Sequence, residues 1–435
     1  MMLVQAAPGF AQGRVAVVSD AEIEGLIADY ARPIFKAAGL SKAGVDIILV
    51  NDLSFNAFVV GRRMFINIGA ILTAETPNEI IGVIAHEAGH IAGGHQQRLR
   101  QQLEKAKTIA IIAGLLGAGA LAAGAASGNS DAAKAGTGIM LGGGQAAQRG
   151  LLAYQRNEEL TADRSAITYL ERTGQSGAGM LKTFERFQSA LSLTGARIDP
   201  YKVSHPLPLE RIRALQALVQ SSKHVGKKDS GSLQLRHDMA RAKIAAFTGG
   251  PSAVARLARG GLEPTAVAYG DAIATYEYGS PATALQKIDK VLASQPKNAY
   301  LHEMRGEILI KANRPADAVS ELRKAVKLSG SRSGDIQVLL GRAYLLSGGE
   351  KNLRQAVKEI TQGIGQNRSN AGAYVYLAQA YGQLGMTGDA ELATAEHHYY
   401  SGRRQDAQLF AARAQQKFKK GSPQWLRAQD IIKAK

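Results

Sequence analysis

Residues 86–90 read His-Glu-Ala-Gly-His. On a helix, His86 and His90 stand one turn apart on the same face, so both imidazoles reach one point in space. A Zn²⁺ ion prefers nitrogen ligands about 2.0–2.1 Å away in a tetrahedral arrangement, and such a pair supplies half of it. Glu87 projects toward the same site without ligating, placed to take a proton from a water held there. The chemistry implied is metal-assisted hydrolysis. The plainer alternative is two core or solvated histidines on an ordinary helix. The preceding residues 79–84, Glu-Ile-Ile-Gly-Val-Ile, argue against it, because they carry apolar side chains at helical spacing straight into the motif.

The elements that must position this helix can be read upstream. Asp20 caps a helix reaching about Ala38, and Gly39 stops it. Residues 45–50 (VDIILV) form a short β-rich run broken by Asn51-Asp52. Phe58 to Val60 and Met64 to Ile68 flank Gly61-Arg62-Arg63, the pattern of a hairpin. A small sheet therefore precedes the motif helix, which is expected to run from about Pro77 to Lys107. An edge strand beside such a helix is a place where an extended peptide can add to the sheet.

The bulk composition narrows the function classes. The chain has 435 residues, 45% of them hydrophobic and 20% charged, which is ordinary for a globular protein of two or three domains. There is no cysteine, so disulfides and thiolate metal sites are excluded, and any metal must be held by histidine and carboxylate. The formal charge of +17 suits an anionic membrane surface or acidic partners. One tryptophan, no basic–aromatic interleaving and no finger spacing leave no nucleic-acid module. Residues 1–13 (MMLVQAAPGFAQG) are uncharged and apolar and read as a signal-peptide remnant, though without a basic leading segment.

Asn56-Ala57-Phe58, the Gly61 turn, Ile68-Gly69-Ala70 and HEAGHIAGGH together resemble the HtpX/BepA-type zinc metallopeptidases, a gluzincin family. The resemblance implies a third ligand in a downstream Glu-x-x-x-Asp motif. Residues 156–164 (RNEELTADR) contain it as Glu159-x-x-x-Asp163. Four-residue spacing places both carboxylates on one helical face, so that Glu159 can ligate one Zn²⁺ per chain while Asp163 holds the ring N–H of a ligand histidine. Glu158 competes for the ligand role, from a face rotated by about 100°. A third match, Ser-His-Pro-Leu-Pro-Leu-Glu-Arg (204–211), resembles a segment following the glutamate helix in the periplasmic members. By that resemblance His205 is a regulatory fourth ligand that shuts the site, and Arg211 is the catalytic partner of the substrate oxyanion. The prolines would stiffen the loop that carries His205.

Residues 108–126 (TIAIIAGLLGAGALAAGAA) are uncharged and long enough to span a bilayer. A single span would strand Glu159 on the wrong side from His86 and His90, and residues 134–149 are short and glycine-rich for a second one. The stretch 108–148 is therefore expected to pack over the active site or to lie on a membrane surface, with a re-entrant hairpin as the remaining option.

The polar residues from 222 open a linker with connecting helices to 265, and repeats follow over 266–435. Ala272, Gly306, Gly341 and Ala378 are spaced by 34, 35 and 37 residues, with Ala284, Ala318, Ala356 and Ala390 in the second helices. That period resembles the tetratricopeptide repeat, which stacks helix pairs into a superhelix with a concave groove. The fold class expected is α+β and mostly helical: a gluzincin domain with a small sheet over 14–221, then an all-α superhelix. The function expected is a zinc endopeptidase acting on misfolded or misassembled proteins of the cell envelope. It would be periplasmic, in contact with the membrane, and the repeat groove would take protein partners such as outer-membrane assembly machinery. The reading from another class is a chaperone or assembly scaffold with a latent, closed zinc site.

Overall fold

The computed structural model describes residues 3–6, 16–127, 130–193, 205, 209–330 and 334–434. The chain is mostly helical and carries one small mixed sheet. Five strands form the sheet: β1 (Leu3–Ala6), β2 (Ala16–Ser19), β3 (Asp46–Val50), β4 (Ala57–Val60) and β5 (Arg63–Asn67), in the order β1-β2-β3-β5-β4. Strands β3 and β5 run parallel, with Asp46 opposite Arg63 and Val50 opposite Asn67, and the remaining pairs are antiparallel. The hairpin turn is Gly61-Arg62, one residue tighter than the sequence suggests, and Gly61 takes φ +62° there. Strand β1 falls inside the stretch read as a leader remnant; residues 1–2 and 7–15 lie outside the described residues.

Two helices cover the sheet. Helix α1 (Ala21–Ala37) begins where the Asp20 side chain accepts from the Ile23 N–H at 3.0 Å. Ile23, Leu26, Ile27, Tyr30, Ala31 and Ile34 then follow at helical spacing and are all buried. After the short α2 (Ile68–Thr73), α3 (Pro77–Gly93) starts with proline in its first turn, where the missing N–H costs nothing. Every residue from Pro77 to His90 is buried, so α3 is the central helix of the domain.

The expected single helix from Pro77 to Lys107 is in fact two. Gly94 sits in the left-handed region at φ +64°, its N–H bonding back to the carbonyls of His90 and Ile91, a standard glycine stop. Helix α4 (His95–Ser127) leaves in a new direction and α5 (Ser130–Arg172) returns beside it. Residues 134–149 are not a separate short segment: they are the middle of one 43-residue helix. Nor does the glycine-rich stretch pack over the active site. The α4–α5 hairpin projects from the body, and the apolar window of α4 is 6% buried. Helices α6 (Ala178–Leu193) and α7 (Leu209–Ser221) complete the domain.

Helix α8 (Gly231–Arg259) is more than a linker. It shares its residues between two cores, Ala240 and Ile244 with the sheet domain and Met239, Ala242 and Ala245 with the repeats, and it bends at Gly250 (φ +62°). Four antiparallel helix pairs follow: α9–α10 (Pro264–Tyr278, Pro281–Ser294), α11–α12 (Ala299–Lys311, Pro315–Ser329), α13–α14 (Gly334–Ser347, Glu350–Gln366) and α15–α16 (Ala371–Gln383, Thr387–Tyr400). Helices α17 (Arg404–Gln415) and α18 (Pro423–Lys433) end the array. The small positions explain the pairing: a Cβ on Gly306 would meet Leu322 at 2.5 Å, and one on Gly341 would meet Ile360 at 2.4 Å. In the fourth pair Ala378 and Ala390 are only half-buried, and Ala373, Ala380 and Ala393 take the inner places.

Candidate metal centre

Helix α3 carries His86, Glu87 and His90, and α5 crosses it at Gly89. A side chain at Gly89 would come within 3.0 Å of the Ala162 carbonyl, so the two variable positions of the motif include one that must stay small. That close crossing delivers Glu159 and Asp163 to the histidines. His90 Nε2 lies 3.0 Å from His86 Nε2, and the Glu159 carboxylate lies 3.4 Å from each. His205 completes the group, its Nδ1 3.3 Å from His86 Nε2 and 3.1 Å from Glu159 Oε2. The donor atoms of His86, His90, Glu159 and His205 all lie within 4.8 Å of one another, and all four residues are buried.

The separations suit a tetrahedral ion, because ligands at about 2.0–2.1 Å from one centre stand about 3.3–3.4 Å apart. The protonation pattern suits it as well. Asp163 Oδ1 lies 2.9 Å from His86 Nδ1, which favours a proton on that nitrogen and a bare lone pair on Nε2. On the other side, His95 Nδ1 lies 2.9 Å from His90 Nδ1, and His95 Nε2 lies 3.0 Å from Glu158 Oε2. With the His95 proton toward the Glu158 carboxylate, His95 Nδ1 accepts from His90 and leaves His90 Nε2 bare. Lone pairs from two imidazoles and a carboxylate thus converge with no proton of their own between them. Such a centre wants a cation.

The titration of the groups says the same. Burial pushes His86 down, but Asp163 and Glu159 outweigh it and raise it to about 9, a measure of how strongly the two carboxylates favour a positive charge there. Burial lifts Glu159 too, yet His205 and His86 hold it far below the usual carboxylate range. Asp163 is likewise lowered against its burial, chiefly by Arg211. His90 is pushed well down by burial and by the neighbouring His86, which keeps it in the neutral form a metal needs. Three histidines and a carboxylate without sulfur suit a divalent metal ion.

Glu87 is fully buried and neither carboxylate oxygen has a hydrogen-bond partner; its nearest basic neighbour is His205 Nε2 at 3.3 Å. Burial raises its pKa. It faces a cleft of about 200 Å³ whose walls include Phe58 and Val59 of the edge strand β4, Leu99 of α4 and Tyr154 of α5. On that strand the Gln96 side chain donates to the Val59 carbonyl and accepts from the Gly61 N–H.

Glu158, the competitor of Glu159 for the ligand role, turns away from the cluster to His95 and to Arg98 at 2.8 Å. Arg211, expected at the substrate carbonyl, is 2% exposed and bound to the ligand helix instead: Nε and Nη2 contact Asp163 at 2.6 and 2.9 Å, and Nη1 contacts Glu159 at 2.7 Å. The α5 carboxylates need a counter-charge in a buried place, and α7 supplies it. His95 is the functional residue that pattern reading missed. Its signal is the Gly93-Gly94 pair: Gly94 breaks the helix, and a Cβ on Gly93 would lie 2.2 Å from the His95 ring. Pro206 and Pro208, read as stiffening the His205 loop, lie outside the described residues.

Residues 19–219 match Peptidase family M48, so this segment is a peptidase domain of that family. Among curated relatives it is similar to the beta-barrel assembly-enhancing protease of Escherichia coli (strain K12), 23% identical over 434 residues, covering 96% of this chain and 83% of that one. It is also similar to the protein of the same name from Yersinia pestis, 24% identical over 383 residues, covering 86% and 75% of the two chains. A crystal structure of MamA overlaps 37% of this chain and 90% of that one at 21% identity, with a TM-score of 0.29, too low to bear on the fold.

Proposed function

We propose that the chain is a zinc-dependent endopeptidase of the cell envelope that cuts misfolded or misassembled proteins, with its activity gated by His205. The observation that carries this reading is the convergence of His86, His90 and Glu159 beside an unpartnered, buried Glu87. Bound zinc would supply Lewis-acid polarisation and an acidified water. Glu87, raised by its burial and with both oxygens uncommitted, takes the proton from the attacking water and passes it to the leaving amine. Asp163 fixes the His86 ring, and Glu158 through His95 fixes that of His90. Arg211 neutralises the ligand helix and acts as a positioning residue. Substrate enters as an extended segment along β4, whose Phe58 and Val59 face the cleft.

His205 occupies the fourth donor position and its other ring nitrogen faces Glu87, so it displaces both the water and the proton acceptor's task. It must leave for turnover. The similarity to the beta-barrel assembly-enhancing proteases supports an envelope location and outer-membrane proteins as substrates. The helix pairs α9–α16, read as tetratricopeptide-type repeats, give a surface for a protein partner. The same closed donor set favours a second reading, an assembly scaffold with a latent zinc site.

The test uses two variants. Glu87→Gln loses casein cleavage and keeps about one zinc per chain; cleavage at the wild-type rate by this variant refutes the mechanism. His205→Ala cleaves faster than wild type if the residue gates the site, whereas loss of zinc and of fold selects the scaffold reading.

A further inference from the structure

The joint between the peptidase domain and the repeats buries charge that the metal chemistry does not use. The corner where β2 runs into α1, residues 19–25, lies against the second and third repeat pairs. Ala21 packs there with Ala325 and Ile336, and Tyr300 and Val326 lean on this small apolar cluster. Gly25 makes room for Tyr300, since a Cβ on it would stand 2.7 Å from the tyrosine hydroxyl. The Ser19 hydroxyl contacts Asp335 at the head of α13 and Glu24 at 3.0 Å, so one proton serves two carboxylates. Helix α8 ties the first pair into the peptidase core, whereas α13 shares its main core with the other helices from α11 to α16. Each pair of a solenoid is held by its neighbours, so α13 can part from the corner without unfolding.

A cavity of about 60 Å³ lies within this joint, and charged groups reach it from every element around it. The α1 cap brings Asp20, α8 brings Lys243, α11 brings Glu303 and Glu307, and α13 brings Asp335 and Arg342. Lys243 is engaged by Asp20 at 2.8 Å and by Glu22 at 3.2 Å, and Tyr269 of α9 donates to Glu22 at 2.8 Å. Asp335 accepts from Asn370 at 2.8 Å, and Arg342 stacks over the ring of Tyr376 on α15 at 5.4 Å. Glu303 Oε2 is buried and has no hydrogen-bond partner. An ionised Glu303 would therefore be a poorly compensated charge among other acids. Burial raises it to about 8, with Asp20, Glu307 and Glu22 adding to the effect and Lys243 opposing it.

We propose that the docking of α11 and α13 on the β2–α1 corner is a proton-operated latch, closed while Glu303 holds a proton and opened when that proton leaves. In the closed joint a protonated Glu303 is a neutral buried group. In the open joint its carboxyl meets water and ionises near the ordinary value of 4.5. Closing therefore takes up a proton between about pH 4.5 and about pH 8, and the closed form loses ground as pH rises through that window. The contact that remains is thin: a three-residue apolar cluster and a hydroxyl shared between Glu24 and Asp335. Opening bares the cavity-lining faces of α11, α13 and α15, which the peptidase domain otherwise covers at this corner. The latch works whether or not the metal centre is active.

The experiment uses the full chain carrying Glu87→Gln, so that self-cleavage does not enter. Ala21 is 8% exposed and its apolar partners are repeat residues, so Ala21→Cys puts a single thiol under the latch of a chain that has no cysteine. Its reaction with a dipyridyl disulfide is timed from pH 5 to pH 8, with Glu303 present and with Glu303→Gln, whose amide stands in for the protonated acid. The titration of the thiol itself is common to both. The rate with Glu303 divided by the rate with Glu303→Gln is expected to rise by up to about tenfold per pH unit, and by at least about tenfold over the range. Ser19→Ala, which loosens the outer contact alone, raises the rate at every pH and leaves that slope unchanged. A flat ratio overturns the proposal, as does a thiol that reacts at pH 5 as fast as free cysteine. Equal acceleration of a thiol at Ala380→Cys, buried within the fourth pair, overturns it in favour of unfolding of the whole array.

Discussion

Removing the imidazole of His95 tests the relay that prepares His90. The ring bridges His90 Nδ1 at 2.9 Å and Glu158 Oε2 at 3.0 Å, and it is buried with the ligands. Without it His90 Nδ1 loses its acceptor, the tautomer with a proton on Nε2 becomes competitive, and the ring is free to turn. Loss of a partner that orients a metal ligand costs about 10–100-fold in affinity, or about 1.4–2.7 kcal/mol. Zinc competition against a chromophoric chelator should therefore show His95→Ala weaker by that factor. The pairing adds a stricter condition. Glu158→Ala alone should cost part of the same factor, and in the His95→Ala background it should cost almost nothing, since the two act in series. The Glu158–Arg98 pair does not blur this, because Arg98 is half exposed and such pairs contribute about 0–1 kcal/mol. Affinities of both single variants within twofold of wild type, or strictly additive losses, refute the relay.

Two further outcomes follow from buried charge. Arg211→Met strands Asp163 and Glu159 without their counter-charge, at a cost of about 3–5 kcal/mol, and calorimetry of the metal-free chain should show the melting temperature of the peptidase domain fall by on the order of 10 °C. An unchanged melting temperature would remove Arg211 from the role given to it. Where the repeats meet α1, burial raises Glu303 to about 8, with Asp20 adding to the effect and Lys243 opposing it. The folded chain keeps this proton while the unfolded chain releases it near 4.5, so stability falls as pH rises from about 4.5 to about 8. Glu303→Gln should accordingly melt like wild type at pH 5 and above it at pH 8; an equal difference at both pH values refutes the assignment.

Much of the centre was legible because it is local. His86, Glu87 and His90 share one helix, Glu159 and Asp163 another, and helical spacing alone sorts their faces. What needed tertiary structure was the choice between neighbours. Glu158 and Glu159 differ by one position; the resemblance pointed to Glu159, and the crossing of α3 and α5 at Gly89 is the physical reason that its carboxylate meets the histidines. Arg211 was readable as a charged residue near the site but not for direction, which depends on the side from which α7 approaches. The long reach of α5 was hidden by its glycines, each costing about 1 kcal/mol in an isolated helix; packing of one arm on the other overrides that preference. His95 was obscured by reading α3 and α4 as one helix, since on a continuous helix it would point away from His90.

The Gln96 side chain on β4 has a consequence for how a substrate is chosen. Its amide donates to Val59 O and accepts from Gly61 N–H, the two groups that a neighbouring strand would engage around Val60. The sheet edge is thus already occupied by one peptide-like unit of the protein itself. A polypeptide that adds there exchanges hydrogen bonds one for one, and the swap is nearly neutral in energy. Discrimination then falls to the side chains that enter the cleft between Phe58, Leu99 and Tyr154. A generic unfolded strand gains little from the edge alone; a segment with an apolar residue in the right register gains enough to displace the glutamine. The edge works as a threshold, not as an open template.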